Sequence, residues 1–247
     1  MNIAISLICH NDEHILEPCL TSLLKSDLLD HKIKLFCYDN GSGEKMKQYL
    51  NSLNVEKLII TSNQNDGIVI PRIEIYKKII EENFDFLLEI HSDMVFPKIW
   101  LKPLLDIFDS ETAILEPHIY LPKNRIISSD EFEKILPSLQ TEVQYNKCRQ
   151  THPWLVNLKI LNSIDGYYDP AYSPHECEDD DLVYRILKNN FKIKTTGKSW
   201  VVHYGGMVRH KLLQSCLSKN MEYFTKKNQV SFEHFLTMFE NHPHKYE

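Results

Sequence analysis

No apolar run in this chain approaches the about 18–20 consecutive residues that a membrane-spanning helix needs, so no transmembrane segment is expected. An excess of positive charge is missing too. The formal net charge is −6, and bulk electrostatics therefore give a nucleic-acid partner no support. An acidic cleft holding a divalent cation suits that sign better. The first ten residues, Met1 to His10, have no basic stretch and no small-residue cleavage site, so they are expected to be a strand and not a secretion signal. None of the six cysteines, at positions 9, 19, 37, 148, 177 and 216, belongs to a CxxC pair. Scattered thiols without an export signal are expected to stay reduced, with Cys9 and Cys37 as core fillers, which points to the cytoplasm. Internal repeats, low-complexity segments and Pro/Ser-rich linkers are also absent.

What is present suits one large α/β domain or two small ones: 247 residues, 43% hydrophobic and 25% charged. Residues 3–9 read as a strand, and Asn11 or Asp12 can cap the helix behind it. That helix has Ile15, Leu16, Cys19, Leu20, Leu23 and Leu24 on one stripe, with Pro18 in its first turn or two. Strands follow at 33–38, 56–61 and 85–91, and helices at 44–52 and 71–82, with Pro71 suited to a first turn. Strand and helix alternating at this interval predict a parallel sheet with right-handed crossovers and helices on both faces. Beyond Pro97 the pattern predicts a helix over 98–108, a strand over 112–121 and a polar excursion with a short helix over 122–150. A helix from Glu178, strands at 191–195 and 199–203, and two helical stretches within 207–239 complete the chain.

Polar groups gather where the strands end, which is where open α/β sheets bind ligands. Asp39-Asn40-Gly41-Ser42 can present a carboxylate to a nucleobase N–H, and it can equally be a plain turn. Asn65-Asp66-Gly67 precedes Arg72 in the first turn of a helix; that guanidinium can lie on the surface, pair with Asp39 or Asp93, or reach a diphosphate. Phe86-Leu87-Leu88-Glu89-Ile90 runs into His91-Ser92-Asp93, a cluster able to bind a metal. One carboxylate suffices for Mg²⁺ or Mn²⁺ when phosphate oxygens and water fill the shell. Residues 176–181 pack five acids into six positions. Two would satisfy a helix dipole, and the surplus makes Asp179 or Asp181 the candidate general base. His203 ends an apolar strand and can ligate a metal through imidazole nitrogen.

Taken in order, these motifs resemble glycosyltransferase family 2, enzymes of the GT-A fold that use nucleotide-sugar donors. Ile5-Ser6-Leu7-Ile8-Cys9-His10-Asn11 looks like that family's first strand, and Asp39-Asn40-Gly41-Ser42 like its D-N-G-S tip. Asn65-x-Gly67 with Arg72 resembles its N-x-G…R element, and His91-Ser92-Asp93 occupies the place of its D-x-D motif. Gly166-Tyr167-Tyr168-Asp169 is similar to its G-G-F-D turn, and Glu178-Asp179-Asp180-Asp181-Leu182 with Arg185 to its E-D-x-D-L-x-x-R segment. His203 stands where many members have a late histidine.

The resemblance, over about residues 3–206, implies a GT-A (Rossmann-like) mixed, mainly parallel sheet and a nucleotide-sugar donor, a UDP-sugar above all. It implies that Asp39 binds the base, that Asn65, Arg72, His91, Ser92 and Asp93 line the donor site, and that Asp93 and His203 hold a divalent cation, Mn²⁺ or Mg²⁺. Asp179 would deprotonate a hydroxyl of a glycan or other acceptor in an inverting displacement. Asp181 and Glu178 would be secondary, and Arg209 and Lys211 could fold over the diphosphate. His91 departs from the family's acid, and histidine suits Mn²⁺ better than Mg²⁺. It also motivates the alternative of a catalytically inactive GT-A-like protein that binds nucleotide or glycan. A nucleotidyltransferase is disfavoured, since residues 9–14 contain neither Gly nor Lys. On this reading residues 1–206 are the transferase domain, with a donor half over 1–116 and an acceptor half over 117–206. Residues 207–247 are a helical extension whose stripe of Leu212, Leu213, Leu217, Met221 and Phe224 packs on the domain or offers a face for homodimerisation or peripheral membrane contact.

Overall fold

The structure, a computed structural model, describes residues 1–122, 125–147, 152–205, 215–239 and 245–246, the last pair by backbone only. The expected alternation opens the chain as β1 (Asn2–Cys9), α1 (Glu13–Lys25), β2 (Lys32–Asn40), α2 (Glu44–Ser52), β3 (Lys57–Ser62), α3 (Val69–Ile80) and β4 (Phe86–Ile90). Next come β5 (Met94–Val95), α4 (Leu101–Leu105), β6 (Thr112–Leu115), β7 (His118–Leu121), α5 (Ser129–Leu139), β8 (Gln144–Tyr145), β9 (Trp154–Asn157) and α6 (Leu158–Leu161). A 3-10 turn (Pro170–Tyr172), α7 (Glu178–Lys188), β10 (Lys192–Thr196), β11 (Trp200–His203), α8 (Leu217–Asn228), α9 (Phe232–Leu236) and β12 (Lys245–Tyr246) close it.

Eight strands form one sheet in the order β3-β2-β1-β4-β9-β6-β10-β8. The first four are mutually parallel, β9 runs antiparallel to both β4 and β6, and β10 is parallel to β6. A second sheet, β12-β7-β11-β5, lies beside it. Strand side chains alternate between faces, and the two cores follow that period. Ile3, Ile5, Leu7 and Cys9 of β1 and Leu35 and Cys37 of β2 pack with Leu16, Leu20 and Leu23 of α1 and Leu50 of α2. The alternate residues Ala4, Phe36, Tyr38 and Leu87 pack with Ile75 and Ile79 of α3 and with Leu182 and Ile186 of α7. The helices thus cover both faces. Phe224 of α8 and Phe235 of α9 join the second core, so the described part of the tail is packed on the domain.

Two expected elements change. The helix expected over 98–108 shrinks to α4, because the Lys98 carbonyl accepts the Asp27 amide at 2.8 Å and Trp100 Nε1 donates to Ser26 Oγ at 3.1 Å. Those bonds tie residues 98–100 to the end of α1. The strand expected over 112–121 divides at Pro117, which has no N–H for a ladder. Its first part, β6, joins the large sheet, and its second, β7, joins the small one. Helix α5 begins on Ser128, whose Oγ accepts the Glu131 amide at 3.2 Å.

The tips of β2 and β3 are locked to each other and to the loop before α7. Asn40 Nδ2 donates to Asn65 Oδ1 at 3.0 Å and to the Gly67 carbonyl at 2.8 Å, and Asn40 Oδ1 accepts the Asp66 amide at 2.7 Å. The Pro174 carbonyl accepts the Ile68 and Val69 amides at 2.8 and 3.2 Å. Gly67, at φ +83°, permits that approach; a Cβ there would lie 2.5 Å from the Pro174 oxygen. Gly166 has a similar φ of +79° with nothing within 4 Å of a Cβ. Gly166→Ala is therefore expected to cost roughly 1–2 kcal/mol, the left-handed penalty alone. Gly67→Ala should cost clearly more; urea unfolding midpoints of the two variants would compare them.

Candidate active site

The carboxyl ends of β1, β2 and β4 lie side by side and are joined by β11. Asp39, at the end of β2, is fully buried and its Oδ1 accepts the Ser42 amide at 2.9 Å. Its Oδ2 is buried with no hydrogen-bond partner among the described residues. A buried acceptor in that state asks for a donor. Asp39 also lines a cavity of about 260 Å³ with Lys47, Leu50, Asn51, Ile59 and Thr61.

Beneath this edge, Arg72 of α3 and Glu89 of β4 meet at 2.8 Å with each side chain 1% exposed. The guanidinium also donates to the Ser6 carbonyl (2.9 Å), Ser6 Oγ (2.8 Å) and the Ile90 carbonyl (2.8 Å). Arg72 is thus buried and not on the surface, and its partner is Glu89, not Asp39 or Asp93. Glu89 in turn meets His152 Nε2 at 2.9 Å and accepts from the Tyr168 hydroxyl at 3.2 Å. Burial pushes the Glu89 carboxyl up, but Arg72 and His152 outweigh it and hold the group below its ordinary value.

At the tip of β4 three candidate metal ligands converge. His203 Nε2 lies 3.2 Å from Asp93 Oδ1 and 3.3 Å from His91 Nδ1. One donor atom from each of His91, Asp93 and His203 lies within 4.8 Å of the others. The pairing of β11 with β5 sets His203 opposite Met94 and so brings it to Asp93. Two imidazoles and one carboxylate fit a divalent transition ion. Ser92 hydrogen-bonds the buried Asp12 from the β1 tip. Burial, with Asp93 nearby, raises the Asp12 carboxyl above its ordinary range against that bond and the His10 amide.

The acidic run at 176–181 divides into separate tasks. Glu176 and Cys177 both adopt left-handed backbone, at φ 76° and 67°. The Glu176 carboxylate accepts the Cys216 amide at 2.6 Å and the Ser215 hydroxyl at 3.0 Å. Asp181 is fully buried and accepts from Arg185, Tyr172, Lys227 and Asn228 at 2.9–3.1 Å. All four donors come from the protein itself, so the Asp181 carboxylate is engaged within the fold. The Asp179 side chain is 31% exposed, accepts from the Tyr168 hydroxyl at 2.5 Å and lies 4.0 Å from His152 Nδ1. Burial, then the charges of Asp179 and Glu89, pushes the Tyr168 phenol far above its ordinary value, so it stays a donor. Glu178 is buried at the start of α7.

His152 connects these parts. Its ring lies 4.5 Å from that of His91 and 4.3 Å from that of Trp154. A continuous set of contacts therefore runs from Asp93 through His203, His91 and His152 to Asp179. Asn65 is occupied in holding the β2 and β3 tips together. Arg209 and Lys211 lie outside the described residues, as do Leu212 and Leu213. Sequence reasoning passed over Glu89, His152, Tyr168 and Asp12 as site residues. Glu89 had a usable signal, since a carboxylate inside a buried apolar strand must find a cation. His152 had none, because its partners come from elements remote in sequence.

The large, mainly parallel sheet with helices on both faces is a GT-A fold, matching that of similar solved structures. The chain belongs to glycosyl transferase family 2, whose model matches residues 5–154. S. aureus TarS 1-349 in complex with UDP-GlcNAc is 16% identical with a TM-score of 0.66, covering 95% of this chain and 69% of its own. TarS 1-349 without that ligand gives 17%, a TM-score of 0.60, and 83% and 61% coverage. GalNAc-T7 with UDP, GalNAc and Mn²⁺ gives 16%, a TM-score of 0.66, and 96% and 56% coverage. Identities this low speak for the fold alone, and the chain spans less than two thirds of the length of TarS 1-349 in the second comparison and of GalNAc-T7. No curated protein matches the sequence. Among the described residues no helix is long and apolar enough to cross a membrane.

The buried ion pair generates two expectations. Arg72→Met strands Glu89 and should cost about 3–5 kcal/mol in denaturant unfolding. Because the folded Glu89 carboxyl sits below its unfolded value of about 4.3, its contribution is present above that pH and is lost as pH falls through the folded value. Glu89→Gln should accordingly flatten the acid limb of the stability profile.

Proposed function

We propose that the chain is an inverting, metal-dependent glycosyltransferase that moves a sugar from a UDP-sugar to a hydroxyl of a glycan or similar acceptor. The observation that carries this reading is the contact path from the His91–Asp93–His203 cluster through His152 to Asp179, the residues this reading takes as cation site and base. Family membership and the UDP-sugar, UDP and Mn²⁺ named for the similar structures support it.

Each residue then has a task. Asp39 Oδ2 accepts an N–H from the nucleobase, which satisfies a buried carboxylate oxygen that has no partner among the described residues. His91, Asp93 and His203 hold the cation, and Ser92 braces Asp12 beside them. The bound cation would act as a Lewis acid on the departing diphosphate. A nitrogen-rich set favours Mn²⁺ over Mg²⁺, which prefers an all-oxygen shell. Asp179 takes the acceptor's proton, with one oxygen held by Tyr168. Arg72 acts from below by fixing β1 and β4. The donor half is residues 1–116, the acceptor half 117–206, and 207–247 the extension. Cys9 and Cys37 lie 3.7 Å apart as hydrogen-bonded thiols, which fits a reducing, cytoplasmic setting. A non-catalytic nucleotide- or glycan-binding relative is the second reading, favoured by His91 in the family's acid position.

With Mn²⁺ and a panel of UDP-sugars, the wild-type protein should release UDP or transfer sugar. Chelation should abolish turnover, Mn²⁺ should restore it, and Mg²⁺ should restore it less. Asp179→Asn should lower turnover at least about 100-fold and leave UDP affinity by calorimetry unchanged. Full turnover in Asp179→Asn would remove the base assignment, whereas UDP binding with no donor ever consumed would select the second reading.

A further inference from the structure

The C-terminal helix α8 lies beyond the residues matched by the family model, yet it contacts the two segments that hold the base and its hydrogen-bond partner. Lys227 is the centre of that contact. Its ammonium donates to Asp169 Oδ2 at 2.8 Å and to Asp181 Oδ2 at 2.9 Å. Asp169 directly follows Tyr168, whose hydroxyl binds Asp179, and Asp181 lies two residues beyond Asp179 on α7. One cation thus bridges the turn that supplies the phenol and the helix that supplies the carboxylate.

The surroundings show a built contact. Lys227 Nζ also lies 5.5 Å from the centre of the Tyr172 ring, between the two acids in sequence. Tyr223 and Asn228 of the same helix donate to Asp169 at 2.9 Å and to Asp181 at 3.1 Å. One turn earlier, fully buried Asn220 donates to the carbonyls of Tyr172, His175 and Glu176 at 2.8–3.1 Å. Burial opposes ionisation of Asp169, and Lys227 with its other donors still holds the carboxyl below its ordinary value. Arg185 gives Asp181 a second cation at 3.0 Å, so losing Lys227 loosens the bridge without leaving Asp181 unpaired.

We propose that Lys227 is a positioning residue for catalysis: the ammonium of α8 fixes the spacing between the Tyr168–Asp169 turn and α7, and so aims Asp179 at the acceptor. The proposal rests on the transferase reading above. The physical reason is that a general base acts only within hydrogen-bond reach of its proton, and small misplacements cost large factors in rate. The proposed donor site is built from β1, β2, β4 and β11, and among the described residues Lys227 bonds none of them, so donor binding should survive its loss.

The test compares Lys227→Met and Lys227→Arg with the wild-type full chain. For Lys227→Met, kcat should fall at least about tenfold, with an unchanged donor KM and unchanged calorimetric affinity for UDP with Mn²⁺. Lys227→Arg, whose planar fork can span both carboxylates, should recover most of the loss. Amide hydrogen exchange over residues 166–181 should rise in Lys227→Met and remain near wild type in Lys227→Arg. An unchanged kcat in Lys227→Met, a parallel loss of UDP affinity, or unaltered exchange would each overturn the proposal. Wild-type protein that consumes no donor would instead overturn the transferase reading, and exchange would still report on the bridge.

Discussion

Arg72 and Glu89 face each other 2.8 Å apart under the carboxyl edge of the sheet, almost without solvent. Burying two charges costs several kcal/mol per ion, and the attraction offsets this only when the remaining hydrogen-bonding groups are satisfied. Here the site itself meets Oε1 of Glu89 three times over, while Oε2 is buried with no hydrogen-bond partner among the described residues. The guanidinium binds carbonyls at Ser6 and Ile90, which fixes the two central strands under the cleft. The carboxylate gathers His152 and Tyr168, one with its ring against that of His91 and the other bonded to Asp179. The His91–Asp93–His203 cluster and Asp179 are thus referred to the same buried pair.

The start of α7 has its own anchor. Five acids in six residues would repel one another if all faced one solvent-exposed spot. The structure disperses them. Glu176 binds the chain at 215–216, Asp181 is enclosed by four donors, and the Asp179 side chain stays 31% exposed. Two of the five acids, Glu176 and Asp181, dock the tail. The left-handed backbone at Glu176 and Cys177 belongs to the same device, since it turns the chain so that successive acids reach different partners.

Much of the fold was legible. Period-2 apolar runs at 3–9, 33–38 and 85–91 and helical stripes between them became β1, β2, β4 and their helices within a few residues. Departures came where one side chain or carbonyl found a distant partner, as when Lys98 paired with Asp27, or where Pro117 parted one apolar run between two sheets. The polar strand tips were legible for a related reason: residues that interrupt an apolar run at a strand end have few places to go.

Sequence by itself determined the strand–helix alternation, the glycine turns, and the presence of His91, Asp93, Asp179 and His203 at the ends of elements. These follow from local rules of period, propensity and turn geometry. Tertiary structure alone decided which partner each charge takes. It gave Arg72 to Glu89, Asp181 to Arg185 and Lys227, and Asp179 to Tyr168. Such pairings join residues from 4 to more than 40 positions apart, and most depend on which element the fold sets beside another. Composition carries no information about that adjacency, because a carboxylate looks the same in sequence whether a guanidinium, a phenol or a substrate will meet it.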